Sequence, residues 1–77
     1  MAEKTVRIKV PEILKARGLN AYDLMYGSRI NLNTAKRWAD TELAKGITRI
    51  DLIILVNIAN YLEVDDIADL LEIVDDE

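Results

Sequence analysis

The sequence predicts a small all-α fold, with five short helices behind an extended N-terminal arm. Three observations lead there. The 77 residues are enough for one domain. Helix-capping residues followed by helix-length apolar patterns recur between residues 11 and 74. Period-two alternation marks residues 4–10, with Val6, Ile8 and Val10 on one side and Thr5, Arg7 and Lys9 on the other. The organisation expected is an extended arm over residues 1–10, a helical domain over 11–74 and an acidic tail over 75–77, the last frayed.

Pro11 suits the first turn of a helix and pushes Val10 towards extended backbone. The first helix is therefore placed near 11–17, stopped by Gly18 in a left-handed conformation with Leu19 folding back. Asn20 is a good N-cap for a second helix, and Asp23 three residues later supports it. That helix runs to about Tyr26 or Gly27, and a short turn holds Ser28 and Arg29. Asn31 caps a third helix that ends near Ala39. Residues 40–48 form a loop containing Gly46. A fourth helix spans roughly 51–62 with Asp51 as its cap. A fifth spans roughly 65–74, favoured at its start by Asp65 and Asp66. Its Ile67, Leu70, Leu71 and Val74 make one buried stripe at helical spacing.

Composition narrows the chemistry. The chain has no cysteine and no histidine, so disulfides, thiolate zinc sites, cysteine nucleophiles and histidine bases are all excluded. Glu3, Lys4, Arg7 and Lys9 interrupt any apolar leader, and the longest apolar run, Leu52 to Val56, is far too short to span a bilayer. A cytoplasmic protein without membrane partners is expected. The net charge of −4 is unevenly spread. Residues 1–49 hold all ten bases and five acids, a balance of +5, whereas residues 50–77 hold nine acids and no base. Local field and not net charge steers a polyanion, so the basic part remains open to nucleic acid; segregated solvated charge is the plainer reading.

The second and third helices carry the functional signal. Leu24, Met25, Ile30, Ala35 and Trp38 can close a small core between two helices meeting steeply. The outward positions of the third are Asn31, Leu32, Asn33, Lys36 and Arg37. Asn, Arg and Lys are the side chains that reach base edges and phosphates in a major groove, and a helix N-terminus adds amide donors. The alternative is an ordinary solvated face. Capping explains one Asn but not Asn33, and an outward Leu32 suits a thymine methyl better than water.

The stretches Gly18-Leu19-Asn20-Ala21-Tyr22-Asp23-Leu24 and Ile30-Asn31-Leu32-Asn33-Thr34-Ala35-Lys36-Arg37-Trp38 resemble the lambda-repressor-like, Cro/Xre-type family of helix-turn-helix transcriptional regulators. Leu55 to Val64 resembles that family's fourth helix and the turn after it, and Asp66 to Leu71 its fifth. The resemblance covers about residues 11–74 and lies in order and spacing. It implies a five-helix DNA-binding domain with the helix-turn-helix at helices 2 and 3. It also implies sequence-specific binding of double-stranded DNA as a regulator, a repressor first, with a recognition helix near 32–39. Leu32, Asn33 and Lys36 sit where base readers sit. Asn31, Thr34 and Arg37 sit at backbone or base-proximal positions, and Arg29, Lys45 and Arg49 would meet phosphates. Where the family has Gln at the start of helix 2, Ala in its middle and Gly in the turn, this chain has Ala21, Met25 and Arg29.

Other residues read as structural. Trp38 lies on the apolar stripe with Ala35 and is expected in the core. Tyr22 and Tyr26 fit either a phosphate contact or a half-buried surface position, and Tyr61 is expected against the fifth helix. Asp65, Asp66 and Asp69 lack calcium-loop spacing and read as caps, so no metal or cofactor is expected. A chain this short offers little room for a catalytic cleft or a small-molecule substrate, and an enzyme is not expected. The fourth helix is apolar on too many sides for one small core. It is buried either in a homodimer or deeply under the fifth helix and the arm. A homodimer through helices 4 and 5 or through the arm is expected. The arm either pairs with its partner's arm or follows the DNA backbone. The competing function is a protein-interaction module of the same fold that has lost DNA binding.

Overall fold

The computed structural model describes residues 3–76. Its elements in chain order are β1 (Glu3–Ile8), α1 (Val10–Arg17), α2 (Ala21–Ser28), α3 (Leu32–Ala39), α4 (Thr41–Ala44), α5 (Leu52–Leu62), a single 3-10 turn (Ile67–Asp69) and β2 (Leu71–Asp76). The capping chemistry explains most of the boundaries. Gly18 ends α1 at φ 69°, and the Leu19 N–H donates back to the Leu14 carbonyl. Asn20 and Asp23 form a reciprocal capping box, each side chain accepting from the other's backbone N–H. Asn31 accepts from the Thr34 N–H at 2.8 Å to start α3, and Asp51 accepts from the Ile53 N–H at 2.8 Å to start α5. Val10, expected extended, is already helical, so Pro11 falls in the first turn, where a missing N–H costs nothing.

The fold is not all-α. The segment expected as a fifth helix over 65–74 instead makes one 3-10 turn capped by Asp66 and then enters β2. β2 runs antiparallel to β1, with Lys4 opposite Asp75, Val6 opposite Ile73 and Ile8 opposite Leu71. The physical reason is that the arm is a strand, and a strand leaves a row of backbone donors and acceptors that need a partner. The β-branched pair Ile73-Val74 suits that role at least as well as a helix. The expected buried stripe therefore does not exist. Of its four residues only Leu70 is buried, Leu71 and Val74 are half-buried, and Ile67 is exposed. Of the acidic end expected to fray, Asp75 and Asp76 are paired within β2 and Glu77 lies outside the described residues, so the arm's first partner lies in its own chain. Residues 40–48, expected as a loop, contain a short helix, α4, capped by Asp40, which accepts from the Glu42 and Leu43 N–H groups.

The core is built from Val10, Leu14, Leu24, Ala35, Trp38, Leu55, Ile58, Leu62 and Leu70. Trp38 is 3% exposed, as its place on the stripe predicted. α2 packs against both α3 and α5. Tyr61, expected against a fifth helix, lies over Gly27 of α2. α5 keeps a large apolar face in solvent, with Leu52 73% and Ile53 71% exposed and Val56 beside them, so it is not buried under the arm.

Candidate nucleic-acid interface

α3 is divided along its length. Ala35 and Trp38 are buried against the core, while Asn31, Asn33, Lys36 and Arg37 are exposed and Thr34 is half-buried. Leu32, expected to project outward, is half-buried yet is not among the side chains packed on the core. The carboxamide oxygen of Asn31 is taken up by the cap, which leaves its amino group free to donate. The turn before α3 depends on Arg29 holding a left-handed conformation, φ 56° and ψ 44°, with its N–H donating to the Met25 carbonyl. That backbone is strained for a side chain with a Cβ, and it holds the Arg29 guanidinium exposed directly before the recognition-like helix.

The charges fall into two groups. On the hairpin, Lys4 pairs with Asp75, and Arg7 pairs with Glu12 and, at 3.5 Å, with Glu72. Lys9 donates to the Ala68 carbonyl and Arg17 to the Leu62 carbonyl. Much of the positive charge of the arm is therefore matched by the acidic C-terminal strand. Around α3 the pattern reverses. Among the described residues, Arg29, Lys36, Arg37 and Arg49 have no acidic partner within ion-pair distance; away from α3, Lys9, Lys15 and Arg17 have none either. Between Ile13 and Arg49 there are seven basic and three acidic side chains.

Two of the expected site residues converge with a third. Arg37, Arg49 and Thr34 line one hollow of about 370 Å³ between α3 and the loop that leads into α5. Thr48, not among the expected site residues, lines it too; its place beside Arg49 in a loop is the signal that points to it. Lys36 opens onto a separate shallow hollow with Asn20 and Ala21, at the start of α2. Lys45 is not part of this group. It pairs with Glu42 at 3.2 Å and lines a hollow facing the hairpin. Asp51 lines the same hollow as Arg37 and Arg49 but is in no ion pair with them; the arrangement presents polar donors on an exposed helix with cations in excess beside it, which is chemistry suited to a polyanion.

A family model for the Cro/C1-type helix-turn-helix DNA-binding domain matches residues 9–76. The chain belongs to this family. Comparison with curated proteins and with solved structures found no match. Membership supports DNA as the partner of this Cro/C1-type domain and regulation of transcription as its general role. The match runs through β2, so the C-terminal strand lies within the part shared with the family. Among the described residues no helix is long and apolar enough to cross a membrane, and no cluster of acidic side chains could hold a metal ion.

Proposed function

We propose that this chain binds double-stranded DNA sequence-specifically as a transcriptional repressor, with α2 and α3 as its helix-turn-helix and α3 lying in the major groove. In this reading Leu32, Asn33 and Lys36 read base edges. Asn31, Thr34 and Arg37 hold the backbone or bases nearby. Arg29 and Arg49 grip phosphates on either side, and Lys45, tied to Glu42, contributes least. Two copies acting together would address half-sites about 34–36 Å apart.

The observation that carries the reading is the group of cations around α3 that no acid neutralises. The hairpin's Lys4 and Arg7 are paired with acids, while Arg29, Lys36, Arg37 and Arg49 around the exposed face of α3 have no acidic partner among the described residues. Selection from a random duplex library, followed by titration of the winning site at several salt concentrations, tests it. Affinity should fall steeply with salt, with a log–log slope of about −3 per subunit for Arg29, Arg37 and Arg49 at phosphates. An affinity indifferent to salt, or no enriched sequence, would remove the reading.

The exposed Leu52, Ile53 and Val56 on α5 favour a second reading, an interaction module that engages protein through that face. It requires that Lys36→Ala and Arg37→Ala leave every activity of the chain unchanged.

A further inference from the structure

We propose that the outer edge of β1 joins two copies of this chain, turning two hairpins into one four-stranded antiparallel sheet. This goes beyond the DNA-binding reading and is tested without DNA.

The ladder shows which backbone groups are free. The Lys9 N–H donates to the Leu70 carbonyl at 2.7 Å, continuing the register of the sheet. Backbone groups in an antiparallel ladder alternate between facing the neighbouring strand and facing away. With Lys9 turned towards β2, so are Arg7, Thr5 and Glu3, and the N–H and C=O groups of Lys4, Val6 and Ile8 face outward. Among the described residues the sheet has two strands, and no other strand meets these groups. A two-stranded ribbon is marginal by itself, and further strands stabilise it. Its apolar face is also uncovered, with Ile73 73% exposed and Val6 54%.

Charge selects the partner and the register. Two copies related by a two-fold axis must keep their apolar faces, Val6, Ile8, Leu71 and Ile73, on the same side, because a one-residue slip turns one set over. Only registers centred on a single residue of β1 satisfy this. Centring on Lys4 or Arg7 sets like charges opposite each other. Centring on Val6 would set Glu3 opposite Lys9, but Lys9 has left the strand as the N-cap of α1, at φ −94° and ψ −4°, and its ammonium donates to the Ala68 carbonyl. Centring on Thr5 sets Glu3 opposite Arg7 of the second copy, twice by symmetry, and brings the outward groups of Lys4 opposite those of Val6. β2 cannot pair with itself in this way, since its charged residues are Glu72, Asp75 and Asp76, with no base to answer them.

Four variants test the proposal by sedimentation equilibrium. In the Thr5-centred register the two Thr5 Cα atoms lie about 4.5 Å apart, within disulfide range. The chain has no native cysteine, so Thr5→Cys should oxidise to a covalent dimer. Val6→Pro removes only an outward N–H, which an edge strand tolerates. It should weaken dimerisation about tenfold or more while the helical circular dichroism persists. Glu3→Lys sets two like-charge pairs across the axis and should weaken it about tenfold. The proposal is overturned if the wild-type chain stays monomeric at the highest concentration reached. It is equally overturned if Ile53→Asp disperses the dimer while Glu3→Lys leaves it intact and Thr5→Cys fails to cross-link. That second result assigns the interface to the apolar face of α5.

Discussion

The ring of Tyr61 in α5 lies against Gly27 of α2 where a Cβ would stand, so the two helices approach as closely as they do because residue 27 has no side chain. Gly27 sits inside a helix, where alanine would ordinarily gain about 1 kcal/mol from propensity. Gly27→Ala is expected to lose stability instead, by about 1 kcal/mol net, because overpacking against the ring outweighs that gain. Thermal unfolding of Gly27→Ala, Tyr61→Ala and the double variant checks this. The double variant should be less destabilised than the two single losses together, and a more stable Gly27→Ala would show the ring moving aside freely.

Ser28, in the last turn of α2, is 2% exposed, and its hydroxyl has no hydrogen-bond partner among the described residues. A buried unpaired hydroxyl carries a desolvation cost with no return. Ser28→Ala is expected to hold or raise stability, by up to about 1 kcal/mol. Urea unfolding is the check, and a loss above that size would mean the hydroxyl is satisfied in solution.

Arg29 separates stability from function. Its left-handed backbone favours glycine, so Arg29→Gly should stabilise the fold by roughly 1 kcal/mol. The same change removes a cation beside α3 and should weaken DNA binding, flattening the log–log salt slope by about 1. The two readouts must move in opposite directions. If stability rises with no change in DNA affinity, Arg29 makes no phosphate contact.

Asn31 and Asn33 are expected to behave differently although both are exposed on α3. Asn31→Ala removes a helix cap and should cost about 1 kcal/mol of folding stability. The Asn33 side chain makes no hydrogen bond within the described part of the chain, so Asn33→Ala should leave unfolding almost unchanged. It should cost about 1–3 kcal/mol in binding to the selected site and relax preference at one base position. Equal loss on all sequences would make it a backbone contact.

The sequence made the helical middle of the molecule legible because its boundaries are set by local chemistry. Gly18, the Asn20–Asp23 box, Asn31 and Asp51 each act on residues within a turn of themselves, and their caps form as read. Trp38 was readable because Ala35 stands three positions before it on the same stripe. The C-terminal segment was misread because its structure is decided elsewhere. Ile67, Leu70, Leu71 and Val74 satisfy helical spacing, but the strand at residues 3–8 supplies hydrogen bonds that no local pattern reveals. The alternation of residues 4–10 was itself the missing clue, since a strand without a partner is an incomplete assignment. At the candidate site, exposure of Asn33, Lys36 and Arg37 followed from periodicity, whereas the diversion of Lys45 to Glu42 and the convergence of Arg37 with Arg49 depend on how α4 and the following loop fold back.

The pairing of Glu3 with Asp76 closes almost the whole chain into one ring of contacts. Such a closure cannot be rewarded until everything between has been ordered, because the entropy of bringing distant segments together is lost first. The helices should therefore assemble early and the ribbon zip up last, so that refolding followed by amide exchange shows protection at Leu24 and Ile58 before it appears at Val6 and Ile73.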